Sequence, residues 1–294
     1  MDNPILPMLG IEVPILLAPM GGAVGPELVS AVSAAGGLGI LPIWWEDARV
    51  GEAINELRMR TAMPFGINLN NQYDQDRHLG EAIDAGHGVV SFFWGLRPAQ
   101  VLRAKDAGMT VLQSIGTAAE AREAVDAGVD IVVAQGWEAG GHVWGKVSTM
   151  ALVPAVADAV PGTPVVAAGG IADGRGIAAA MAAGADAVWV GTRFLLARES
   201  MLTDERRAEV SAATEAQTIM GKDPNERWRD SAMRWIGSAP PWTAVYPPED
   251  GWQLAGQGVG LVHKHQPAAE IVAELWAEAR TTAANLPARL GLAP

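Results

Sequence analysis

Eight short apolar runs recur along the chain, each followed by a stretch of helical composition, and no other feature limits the fold as strongly. The first four read ILLAP (15–19), LGILPI (38–43), FGINL (65–69) and VVSFFW (89–94). The next four read TVLQSI (110–115), IVVAQG (131–136), PVVAAGG (164–170) and AVWVGT (187–192). Runs so short and so rich in Val, Ile and Leu suit parallel strands covered on both faces. Between them lie segments such as TAAEAREAVDAG (117–128) and DGRGIAAAMAAG (173–184). Thr117 and Glu120 have capping-box spacing, and Asp173 can cap the helix that follows it. Gly36, Gly86, Gly108, Gly128 and Gly184 each close an Ala-rich stretch before a strand, where a left-handed cap belongs.

Eight strands alternating with helices predict an α/β fold of the closed (β/α)8 TIM barrel type over residues 1–200. An open doubly wound sheet is the alternative. Its dinucleotide fingerprint, G-x-G-x-x-G after the first strand, is absent, because that turn reads PMGGAVG (19–25). Residues 201–294 differ: 201–222 and 267–286 have helical composition, while 237–260 is rich in Pro and Gly. This segment is expected to be a helical appendage with a C-terminal helix, packing across the barrel and closing its pocket.

With 49% hydrophobic residues among 294, the chain can bury a large core. A formal charge of −12 leaves no basic excess for phosphate backbones and excludes a nucleic-acid partner. The absence of cysteine excludes disulfides, thiol catalysis and Cys-ligated metals. The uncharged stretch 28–45 is long enough to suggest a membrane span, but Gly36, Gly37, Gly39 and Pro42 divide it into a short helix and a strand. The N-terminus has no Lys or Arg before Arg49, unlike a secretory signal. A cytoplasmic enzyme with no membrane partner is expected, and a homo-oligomer stays open.

In a barrel of this type, catalytic groups gather at the C-terminal ends of the strands, and phosphate is often held by the loops after the last two. Those loops read AAGGI (167–171) and GTR (191–193), so Gly169, Gly170, Gly191 and Thr192 are the candidate phosphate contacts, or else two ordinary tight turns. The sixth run leads into QGWEAGGHVWGK (135–146), where His142 follows two glycines. Gly136 and Gly141 have P-loop spacing, yet His142 and Val143 stand where a P-loop needs Lys and Ser or Thr, which rejects that reading. Near neutral pH an imidazole at the rim suits acid–base work, with a packing role as the bland alternative. His78 and His87 fall at helix ends, and His263 with His265 lacks a third metal ligand, so these are read as structural or surface residues. Trp44, Trp45, Trp94, Trp137 and Trp144 all fall near strand ends and suggest a roomy aromatic pocket for a flat or apolar substrate. Arg97, Lys146 and Arg193 could meet a substrate anion or could be solvated charges.

The stretches LLAPMGGAVGPELVSAVSAAGGLGIL, FGINL, QSIGTAAEAREAVDAGVDIVVAQGWEAGGH and VVAAGGIADGRGIAAAMAAGADAVWVGTRFL together resemble the nitronate monooxygenase family, once called 2-nitropropane dioxygenases. The resemblance covers roughly residues 5–200. That family also contains FMN-dependent enoyl-ACP reductases and NAD(P)H:quinone reductases. The resemblance implies FMN across the barrel mouth, with its phosphate on Gly169, Gly170, Gly191 and Thr192 and its ring against Pro19, Met20 and Gly21. Asn68, Gln113 and Gln135 would be polar contacts, Gly140 and Gly141 would give the flavin room, and His142 would be the catalytic histidine. The activity implied is oxidation of alkyl nitronates, or of a bulkier relative, with O2. The alternatives are NAD(P)H-dependent reduction of quinones or enoyl thioesters, and a barrel that binds a phosphorylated ligand without catalysis. The indoles at Trp137 and Trp144, where a small or basic side chain is common in the family, point to a larger substrate.

Overall fold

The computed structural model describes residues 3–45, 47–222, 232–237 and 253–292. All eight apolar runs are strands: β1 (Ile15–Leu17), β2 (Gly39–Pro42), β3 (Phe65–Asn70), β4 (Val89–Phe93), β5 (Thr110–Ile115) and β6 (Ile131–Gln135). A short strand, β7 (Gly141–Val143), precedes the last two barrel strands, β8 (Val165–Ala168) and β9 (Ala187–Val190). The barrel strands pair in parallel in the order β1-β9-β8-β6-β5-β4-β3-β2. A parallel bridge between Leu16 and Leu38 closes the circle, with Leu17 N donating to Leu38 O at 2.9 Å and Leu38 N to Ile15 O at 3.0 Å. The (β/α)8 barrel is therefore present, and the open sheet is not.

Local chemistry sets the boundaries. The Thr117 hydroxyl accepts from Glu120 N at 3.2 Å, and Asp173 Oδ1 accepts from Gly176 N at 2.9 Å. Only half of the capping box forms, because the Glu120 carboxylate turns to Gly116 N at 2.7 Å instead. The five glycines that follow the Ala-rich helices all have positive φ, as a left-handed cap requires.

Strand alternation separates two cores. Leu16, Leu38, Ile40, Leu112, Ile131, Val133, Val166 and Trp189 fill the barrel interior, where Ile5, Leu9 and Ile11 of the N-terminal segment join them. The alternate residues, among them Leu17, Ile67, Val111, Val132 and Val188, face the helices.

The C-terminal part differs from its composition. Residues 204–212 are helical, but Thr218–Lys222 forms a strand, β10, pairing antiparallel with β11 (Ala232–Ile236), which in turn pairs with β7. Residues 238–252 of the Pro/Gly-rich stretch lie outside the described residues. The helix Ala268–Arg289 packs against the helices Gly174–Ala182 and Pro26–Ala34, so it takes the eighth place in the helical ring. The contact is close: a Cβ on Gly174 would lie 2.3 Å from Ala279 N, and Gly174 N donates to Glu278 Oε2 at 2.8 Å.

His87 is a buried titratable group away from the cavity. It is 7% exposed and stacks on Phe65 at 4.9 Å. Burial, helped by nearby Arg58, pushes its pKa down to about 4 from 6.5. Between those values the unfolded chain binds a proton that the folded chain refuses, so stability falls as pH drops from 6.5 and levels off below 4. The full contribution is about 3 kcal/mol. Urea denaturation across this range should show His87→Gln losing that component of the pH dependence. An unchanged profile would place the acid sensitivity elsewhere.

Candidate active site

A cavity of about 590 Å3 opens at the C-terminal end of the barrel, within the range of small-molecule sites. Pro19, Met20 and Gly21 after β1, Asn68 in β3, Gln135 in β6, and Gly140, Gly141 and His142 all line it. Gly169 and Gly170 after β8 and Gly191 and Thr192 after β9 line it as well. Met201, Leu202, Thr203 and Arg206 form an outer wall with Gln253, Leu254, Ala255 and Gly256. Among the described lining residues Arg206 is the one arginine or lysine, and there is no carboxylate. Arg206 is itself ion-paired with Glu209 at 2.8 Å, so part of its charge is already balanced.

Gln113 is absent from this lining, which corrects the sequence reading. It sits in β5 between Leu112, which faces the barrel interior, and Ser114, which lines the cavity. Period-two alternation therefore turns Gln113 toward the helices with Val111 and Ile115. Its Nε2 donates to Ser114 O at 3.0 Å.

The other two amides are wall residues with internal duties. Trp44 Nε1, a donor only, gives its proton to Asn68 Oδ1 at 2.7 Å, while Asn68 Nδ2 donates to Ser91 Oγ at 2.8 Å. Gln135 joins β6 to the following loop, accepting from Trp144 N at 2.8 Å and donating to His142 O at 3.1 Å.

The glycines before His142 line the cavity and also answer local backbone demands. A Cβ on Gly140 would lie 2.3 Å from Gly256 N and 2.4 Å from the Ala255 carbonyl carbon, so its bare face meets protein backbone rather than the cavity. Gly141 has φ +65°, a left-handed turn that lets the chain enter β7. A similar close approach operates after β8, where a Cβ on Gly169 would sit 2.9 Å from Gly136 O. Thr149 joins these two loops. Its hydroxyl lies 2.9 Å from Gly169 O and 3.0 Å from Glu138 Oε2, and Glu138 also accepts from Thr149 N at 2.9 Å.

The five tryptophans divide into two groups. Trp44 and Trp45 line the cavity, with ring centroids 5.9 Å apart. Trp94, Trp137 and Trp144 are not among the lining residues, so they do not form its aromatic wall; Tyr73, Phe93 and Trp189 are there instead. Trp94 and Trp144 stand behind the histidine. The Trp94 ring meets His142 edge-on at 5.0 Å and Trp144 at 6.0 Å, and Trp144 Nε1 donates to Glu120 Oε2 at 3.0 Å. Trp94 has φ +74°, the one positive φ outside glycine among the described residues. A bulky side chain there is strained, and such strain persists where surrounding contacts over-determine the position. Neighbouring bonds do so: Asn71 N donates to Phe93 O at 2.9 Å, and Asn71 Nδ2 to Gly95 O at 2.9 Å.

The three cations that could have met an anion lie elsewhere. Arg193 is 5% exposed and bonds Lys264 O at 3.1 Å, Arg97 bonds Asn71 O, and Lys146 is exposed. His263 Nε2 lies 2.8 Å from Gly260 O, and no metal-binding cluster occurs among the described residues. No described helix is long and apolar enough to cross a membrane. Arg234, which sequence reasoning missed, holds the loop before His142 from beneath. It is 3% exposed, with Nη2 donating to Trp137 O at 2.9 Å and Nε to Ala139 O at 3.2 Å.

The barrel agrees with the comparisons. A model of the nitronate monooxygenase family matches residues 3–82 and 70–245. The chain belongs to the nitronate monooxygenase family, a family of flavin-dependent oxidoreductases. It is 34% identical to the nitronate monooxygenase of Pseudomonas aeruginosa, covering 93% of this chain and 98% of that one. It is 42% identical, over 69% of its length, to the (3aS,4S,5R,7aS)-5-hydroxy-7a-methyl-1-oxo-octahydro-1H-indene-4-carboxyl-CoA dehydrogenase of Mycobacterium tuberculosis. That match spans only 58% of the relative. The structure of FabK from Thermotoga maritima superimposes with a TM-score of 0.89 at 31% identity, covering 98% and 99% of the two chains.

Proposed function

We propose that the chain is an FMN-dependent oxidoreductase of nitronate monooxygenase type, acting on alkyl nitronates or a bulkier related substrate with O2. The observation that carries this reading is the placement of His142 in the wall of a cavity whose glycine turns, Gly169–Gly170 and Gly191–Thr192, line it too. FMN combines a flat apolar ring with a phosphate, and the lining suits both: Pro19, Met20 and Trp44 supply apolar surface, and the glycine turns supply backbone near an anion. Bound there, the flavin would supply the electron acceptor for the reaction. The chain supplies the rest. The His142 imidazole takes the α-proton of a neutral nitroalkane, and Trp94 and Gln135 hold that segment in place.

A second reading is NAD(P)H-dependent reduction of a quinone or an enoyl thioester. It is favoured by the identity with a protein named as a carboxyl-CoA dehydrogenase, and by a wall holding both Arg206 and the flat surface of Trp45. A visible spectrum of the purified protein under nitrogen tests the two. Bleaching of an oxidised flavin by a nitronate supports the first reading, and bleaching by NADH or NADPH alone supports the second.

A further inference from the structure

We infer that Arg234 is a positioning residue for His142, acting from a strand that is absent from the described cavity lining. The inference rests on the reading of His142 as the catalytic base. Strand β11 runs antiparallel to β7 in a register that sets Met233 opposite His142 and Arg234 opposite Gly141. The histidine backbone is thus one rung of a small sheet outside the barrel. From the adjacent rung the Arg234 guanidinium reaches under the preceding turn and donates to the carbonyls of Trp137 and Ala139, at 2.9 and 3.2 Å. Its remaining nitrogen lies 3.4 Å from Thr218 Oγ1 on β10.

Three features separate this arrangement from ordinary packing. First, the guanidinium is buried, and no carboxylate is in hydrogen-bond contact with it among the described residues. Burial pulls its pKa below the usual arginine value, and the charge of nearby Glu138 opposes that. Burying an arginine costs desolvation, which here is offset by hydrogen bonds to the two turn carbonyls and to Thr218. Second, a planar fork that spans two carbonyls two residues apart fixes the turn's orientation, which a single point charge cannot do. Third, the turn it holds carries Ala139, Gly140 and Gly141, all in the cavity wall, directly before His142. A displacement of about 1 Å at such a site can lower a rate about 100-fold.

The test compares Arg234→Met and Arg234→Lys with the parent holoenzyme, using amide hydrogen exchange and steady-state kinetics on a nitroalkane. In Arg234→Met, exchange over residues 136–143 should rise about tenfold or more, while peptides from β3 and β8 keep their protection. Turnover should fall about 10- to 100-fold with KM nearly unchanged and the flavin spectrum retained. Arg234→Lys should fall between the two on both measures. If Arg234→Met fails to fold, the same readings on Arg234→Lys decide. Unchanged exchange over 136–143 overturns the inference, and so does faster exchange with unaltered turnover. If the parent shows no activity on nitroalkanes, the functional reading fails, while the exchange result still reports whether Arg234 holds the turn.

Discussion

Replacing His142 by asparagine is expected to lower kcat/KM on neutral nitroalkanes about 100- to 10,000-fold, the usual contribution of a positioned base. Activity on preformed nitronate should change by less than about tenfold, because no proton has to be removed. The flavin spectrum should be retained, since the apolar floor and the glycine turns are untouched. The contrast carries the argument. His142 lines the cavity with its ring braced by Trp94 and its carbonyl held by Gln135, so an amide in its place keeps the backbone and loses the base. Equal losses on the two substrates, measured on the same preparation, would remove the base assignment.

Gly140→Ala is expected to lower folding stability by about 3 kcal/mol, at the upper end of overpacking penalties, whether or not flavin is present. The new methyl would lie within 2.9 Å of three backbone atoms of Ala255 and Gly256, and no rotamer change can relieve a backbone clash. Gly22→Ala is the control. It also sits in the cavity wall and has φ +78°, but nothing lies within 4 Å of its added Cβ, so only the left-handed strain of about 1–2 kcal/mol applies. Urea denaturation of both variants with and without flavin separates the causes. Equal stability of the two would mean that the 255–256 backbone yields easily. A loss confined to the flavin-loaded protein would return the glycine to cofactor contact.

The barrel was legible because its signals are short-range. Each strand is a run of apolar residues, and several helix ends carry their own cap, so Thr117, Asp173 and the post-helix glycines could be placed from a few neighbours. His142 was legible for the same reason, standing just after a strand whose loop opens on the rim. Gln113 failed by a single residue, since alternation reverses the facing of adjacent positions and the apolar run gives no sign of which face is which. Trp94, Trp137 and Trp144 failed differently, while Trp44 and Trp45 do line the cavity: proximity to a strand end does not say whether an indole faces the cavity or packs behind it. Arg234 gave no signal at all. It lies 95 residues from Ala139, and its role depends on the pairing of β11 with a three-residue strand that neither segment announces alone.

The account is tested most directly by the visible spectrum of the purified protein under nitrogen, recorded before and after adding NADH, NADPH and an alkyl nitronate in turn. The reading predicts an oxidised flavin spectrum, with FMN as the released cofactor, that persists with both nucleotides and bleaches with the nitronate. Rapid bleaching by either nucleotide with no response to nitronate, or a colourless protein that FMN does not reconstitute, would contradict it.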